Sequence, residues 1–105
     1  MKKNKINVDL LLKNERSTID RLDTTMVNIL IERFSVTKRI GLIKAEHDIE
    51  TYDRDREKMQ LKALEKLIED SDVDRKFIVK LMKLITKESK KKHEQIKKEL
   101  SLIHI

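Results

Sequence analysis

From Leu10 to His47 the apolar residues return every three or four positions: Ile19, Leu22, Met26, Ile29, Val36, Ile40 and Ile43. That spacing is the period of an α-helix and marks a stripe to be buried. Val27, Ile31 and Phe34 add apolar surface on a second side, so this helix needs covering on two sides. "AEHDIETYD" (45–53) breaks the pattern and reads as a loop. Its last residue, Asp53, suits the N-cap of a second helix over about 54–70. Leu61, Leu64, Leu67 and Ile68 give that helix a buried face. "EDSDVD" reads as a turn ending in a second cap, Asp74. A third helix follows from Arg75 to about Leu100, with the stripe Ile78, Leu81, Ile85, Ser89, His93, Ile96 and Leu100.

The pattern implies an all-α chain of three helices in one domain (1–105, core about 10–100). Roughly 38 residues in the first helix would span about 57 Å. A compact domain of this length is only roughly 35 Å across. The first helix overshoots its own globule, so a second copy lying along the excess is expected, giving an intertwined homodimeric helical bundle.

Composition agrees. There is no proline, one glycine and no cysteine, so helix breakers are scarce and no disulfide framework or thiolate chemistry is available. The single glycine, Gly41, weakens the first helix by about 1 kcal/mol relative to alanine. A close helix contact or a ligand near the backbone would account for it. No apolar run is long enough for a signal sequence or a membrane span, and a cytoplasmic protein is expected. The net charge is +6, with the excess in "KKNK" and "KESKKKHEQIKK". A run of lysines is first a solvated helix face. With Phe34, Phe77 and Tyr52 as the aromatics, no stacking platform for a nucleic acid strand is available.

The informative residues are polar ones at apolar positions. Arg33 falls in the first stripe, seven residues from Met26 and seven from Ile40. An unpaired buried cation is strongly unfavourable, so Arg33 needs a carboxylate or a ligand. Ser89 and His93 interrupt the third stripe. Ser89 can back-bond within its helix, and a lone histidine can be a satisfied one. His47 and His104 have no functional reading, and neither does the ending "SLIHI". No set of His, Asp and Glu has metal-ligand spacing, and no glycine-rich phosphate loop or nucleophile–base pair is present. Arginines, a lysine, a hydroxyl, an imidazole and two carboxylates suit a dianionic substrate that reacts by itself once held, with no cofactor or metal.

"ERSTIDRLDTTMVNILIERFSVTKRIGLIKAE", "YDRDRE" and "ITKESKKKH" give these residues a register. They carry Arg16, Ile19-Asp20, Asp23, Glu32-Arg33, Gly41 and Lys44, then Asp53, Arg56 and Glu57, then Ser89. In that combination, without a gap, the chain resembles the all-helical chorismate mutases from about residue 12 to 96. The resemblance implies a three-helix chain in an intertwined dimer that converts chorismate to prephenate in phenylalanine and tyrosine biosynthesis. It implies that Arg16 reaches into the partner's site to bind a substrate carboxylate, and that Arg33 binds the other. Lys44 would contact a carboxylate and the ether oxygen of the breaking bond. Glu57 and Asp53 would hold the ring hydroxyl, Arg56 would support that cluster, and Ser89 would bond near a carboxylate.

The sequence departs from the family pattern at His93, where glutamine or glutamate usually serves as a second donor to the ether oxygen. His93 is expected to take that role, with activity dependent on pH. Gln95 lies about 200° further round the helix and cannot point to the same place. Two rivals stand beside this reading. Isochorismate pyruvate lyases share the scaffold but lack the full Asp-x-x-Arg-Glu cluster. A non-catalytic helical binder using the lysine-rich third helix would leave Arg33 unexplained.

Overall fold

The computed structural model describes residues 2–103, with side chains described from Asn7 to Ile103. His104 and the end of "SLIHI" lie outside the described residues, as do the side chains of "KKNK". Three helices follow one another: α1 (Lys2–Glu46), α2 (Arg54–Leu67) and α3 (Arg75–Ile103). No strand occurs among the described residues, and the all-α class expected from the pattern is the observed one.

The chain divides into two compact units, one ending at Ser35 and one beginning at Val36. The first unit is α1 alone. The helix starts at Lys2 rather than near Leu10, because nothing in the basic start breaks it. The hydroxyls of Thr18, Thr24 and Thr25 donate to the carbonyls one turn back, Asn14, Asp20 and Arg21. That bonding satisfies polar side chains inside a helix without a tertiary partner. The expected buried stripe is open in the single chain: Leu22 is 62% and Ile29 58% exposed.

The second unit holds the end of α1 with α2 and α3. Among its residues Thr37, Gly41, His93 and Ile96 are buried, and Ile96 is the sole apolar side chain of the described residues to be so. These four meet where the end of α1 packs on α3. A Cβ at Gly41 would stand 2.9 Å from Cδ2 of His93 and 3.0 Å from Cδ1 of Ile96. Gly41 is therefore present because α3 comes too close for any side chain, the first of the two explanations its position allowed.

The loops carry their own logic. The Ile49 amide donates to the Lys44 carbonyl at 2.8 Å, and Asp48 between them has φ of 56°. This six-to-one bond around a left-handed residue is the Schellman ending of a helix. Asp53 caps α2 as its position suggested, its Oδ1 accepting from the Arg56 amide at 3.1 Å. Asp74 does the same for α3 through the Lys76 amide at 3.1 Å. α2 is shorter than the expected 54–70. Ser71 Oγ donates to the Ile68 carbonyl at 2.7 Å, and Glu69 and Asp70 place negative charge at the negative end of the helix dipole. α3 runs past Leu100 to Ile103, again for want of a breaker.

Candidate active site

Three elements of the second unit converge on the α1–α2 loop. From α1, half-buried Lys44 donates through Nζ to the Thr51 carbonyl at 3.2 Å. From the loop, Thr51 Oγ1 donates to Oε1 of Glu94 on α3 at 2.8 Å. Next to it, the ring of Tyr52 lies under Lys90 of α3, Nζ to centroid 3.5 Å. Lys90 Nζ also faces Glu57 Oε1 at 3.8 Å. Lys44, singled out in the sequence, is thus tied to the loop itself, and Glu57, singled out with it, faces Lys90, the α3 side chain that lies over Tyr52.

His93 is the most constrained of the expected residues. Its Nε2 lies 2.9 Å from the Thr37 carbonyl. A carbonyl only accepts, so Nε2 carries the proton and donates. The other ring nitrogen, Nδ1, is buried with no hydrogen-bond partner. Buried polar atoms without partners are rare in folded proteins, and each calls for a reason. In the neutral ring Nδ1 offers a lone pair; in the imidazolium it becomes a second N–H donor.

The remaining residues are dispersed. Ser89, one turn before His93 on the same helix, donates its hydroxyl to the Ile85 carbonyl at 3.1 Å. This is the back-bonding expected of a mid-helix serine, and its oxygen can still accept. The "DRDRE" residues split between two recesses. Glu57 faces a groove of about 460 Å³ between α2 and α3, walled by Arg54, Lys58, Lys83, Lys87 and Lys90 over Leu64 and Met82. Asp53 and Arg56 line a shallower depression with Asp55 and Met59. Lys44, Ser89 and His93 line neither. The groove holds a single residue of the expected set. The hydrogen-bonded cluster around Lys44 is the candidate site. Arg16 (exposed) and Arg33 (half-buried) lie in the first unit, on one helix, seventeen positions apart.

Sequence reasoning missed Thr37, Thr51, Lys90 and Glu94. Thr37 acts through its carbonyl, which no side-chain pattern reveals. Lys90 and Glu94 lie in the lysine run taken for a solvated face. Among the described residues no group of three or more His, Cys, Asp or Glu could hold a metal ion, and no helix is long and apolar enough to cross a membrane.

The chain matches the family described as chorismate mutase type II over residues 15–94, and it belongs to that family. Its activity is accordingly that of an isomerase, turning chorismate into prephenate. A comparison with individual curated proteins gave no match.

Proposed function

We propose that two copies of the chain form an intertwined homodimer whose sites each use residues of both. Arg33, Lys44, Asp53, Arg56, Glu57, Ser89 and His93 come from one protomer and Arg16 from its partner. All of them fall within the matched stretch, 15–94. The observation that carries the shared site is the placement of the two arginines. Seventeen helical positions separate Arg16 from Arg33, about 25 Å along the axis and about 100° around it. That is far more than the separation of the two carboxylates in one substrate molecule. One chain cannot offer both arginines to the same dianion, and a second copy can. The single chain also buries too little apolar surface for a core of its own, which supports association.

In this site the guanidinium of Arg33 and that of the partner's Arg16 clamp the two carboxylates, each as a planar fork of donors. The clamp folds the enolpyruvyl arm over the ring. Bond formation and cleavage then proceed within one molecule, so orientation does much of the work. Negative charge growing on the ether oxygen is met by the Lys44 ammonium and by His93. Preorganised donors of this kind are typically worth about 3–4 kcal/mol each. Nε2 is committed to Thr37, so Nδ1 is the atom through which His93 would act, and it must be uncovered for the substrate to reach it. No protein nucleophile takes part. The pathway served is phenylalanine and tyrosine biosynthesis, and the compartment is the cytoplasm.

The experiment is the loss of chorismate ultraviolet absorbance with purified protein, with prephenate confirmed by acid conversion to phenylpyruvate. Turnover that disappears in Arg33→Ala and Lys44→Ala supports the assignment. A folded protein that releases pyruvate from isochorismate instead would replace it by the lyase reading.

A further inference from the structure

Lys90 and Glu94 stand one turn apart on α3, so their side chains share a face. Adjacent loop residues meet them: Tyr52 under Lys90 at 3.5 Å, and the Thr51 hydroxyl on Glu94 at 2.8 Å. Each contact continues to a residue of the site. The backbone carbonyl of the same Thr51 receives Lys44 Nζ, and Lys90 also faces Glu57. We propose that Lys90 and Glu94 form a two-point clip on the α1–α2 loop, and that through Thr51 and Tyr52 the clip positions Lys44 and Glu57. These four are positioning residues; none needs to touch substrate. The inference rests on the reading of Lys44 and Glu57 as substrate-contacting groups.

The physical argument is one of freedom removed. A lysine on four methylenes has many rotamers, and holding it in one lowers the cost of reaching the reactive geometry. A carbonyl fixed in space can hold it, but a carbonyl on a loop is fixed only if the loop is. The hydroxyl of Thr51 supplies that anchor at the same residue whose carbonyl binds Lys44. At the second point, a cation over an aromatic face is attracted to the ring and leaves its N–H groups available to the carboxylate. The clip needs a donor at 51, an acceptor at 94, an aromatic ring at 52 and a cation at 90.

The test uses the whole 105-residue chain in five variants: Thr51→Val, Thr51→Ser, Glu94→Gln, Lys90→Met and, as a control on the site itself, Lys44→Ala. Steady-state turnover of chorismate is read together with hydrogen exchange of the amides from 48 to 56. Thr51→Val keeps the shape and loses the donor. It is expected to lower kcat about tenfold with KM within about threefold, and to speed loop exchange at least about fivefold. Thr51→Ser and Glu94→Gln keep a donor and an acceptor and are expected to restore kcat to within about twofold of wild type. Lys90→Met is expected to lower turnover and to speed exchange at Tyr52 and Asp53. Wild-type kcat and unchanged loop exchange in both Thr51→Val and Lys90→Met, while Lys44→Ala is inactive, would overturn the clip and leave the site intact. A wild type that does not turn over chorismate would overturn the reading of the site and, with it, the positioning role.

Discussion

At the scale of the residue, the chain concentrates its burial on a single contact. Gly41, His93, Thr37 and Ile96 interlock where α1 meets α3, with no room for one more methyl group. Gly41→Ala would gain up to about 1 kcal/mol of helix propensity. Overpacking against the ring costs typically about 1–3 kcal/mol and displaces the bond to Thr37. A net loss of up to about 2 kcal/mol is expected after the full propensity gain, read as a lower denaturation midpoint with unchanged slope. A more stable Gly41→Ala protein would mean that the two helices do not touch there. The same interlock holds His93, whose Nε2 donates to the Thr37 carbonyl while Nδ1 has no partner. If His93 is the second donor proposed above, His93→Ala is expected to lower kcat by about a hundredfold, and His93→Gln, which keeps an N–H donor, by less. Wild-type kcat in a folded His93→Ala protein would remove His93 from the reaction.

At the scale of the element, the ends of the helices were the local part of the problem, and local chemistry answered much of it. Asp53 and Asp74 could be recognised as caps because a carboxylate three or two residues before an amide needs no distant partner. The ends that went astray depend on weaker signals. α1 begins early for lack of a stop, and α2 ends early at Leu67, ahead of Glu69, Asp70 and the Ser71 hydroxyl that bonds to Ile68. Asp48 was legible as loop but not as the left-handed residue that closes α1. Its positive φ is a conformation in which glycine carries no Cβ penalty. Asp48→Gly is expected to stabilise the protein by about 0.5–1 kcal/mol, seen as a rise in Tm. A loss of stability would instead show that the Asp48 side chain makes a contact the helix ending needs. The clip on the α1–α2 loop was beyond sequence reasoning for a plain reason. Lys90 and Glu94 are ordinary members of a charged run until the fold sets Thr51 and Tyr52 opposite them.

At the scale of the whole molecule, the first stripe was legible as an amphipathic face, and so was the demand for something to cover it. What covers it could not be read from one chain, and the single chain leaves Leu22, Met26 and Ile29 more than half exposed. Burying a residue of this kind contributes about 1.5–3 kcal/mol, so a facing copy of α1 would convert an open helix into a core. Leu22→Glu combined with Ile29→Glu is expected to yield a monomer with little turnover, measured by sedimentation equilibrium and by the chorismate assay. A dimer of wild-type activity would place the interface elsewhere. The functional counterpart is the proposed division of the arginines between two chains, and mixing tests it most directly. Arg16→Ala and Arg33→Ala are each expected to be inactive alone. Unfolded together and refolded as a mixture, they form hybrids in which one site has both arginines, and roughly a quarter of the wild-type chorismate mutase activity should return. A mixture as inactive as its components would contradict a site shared between two copies of this chain.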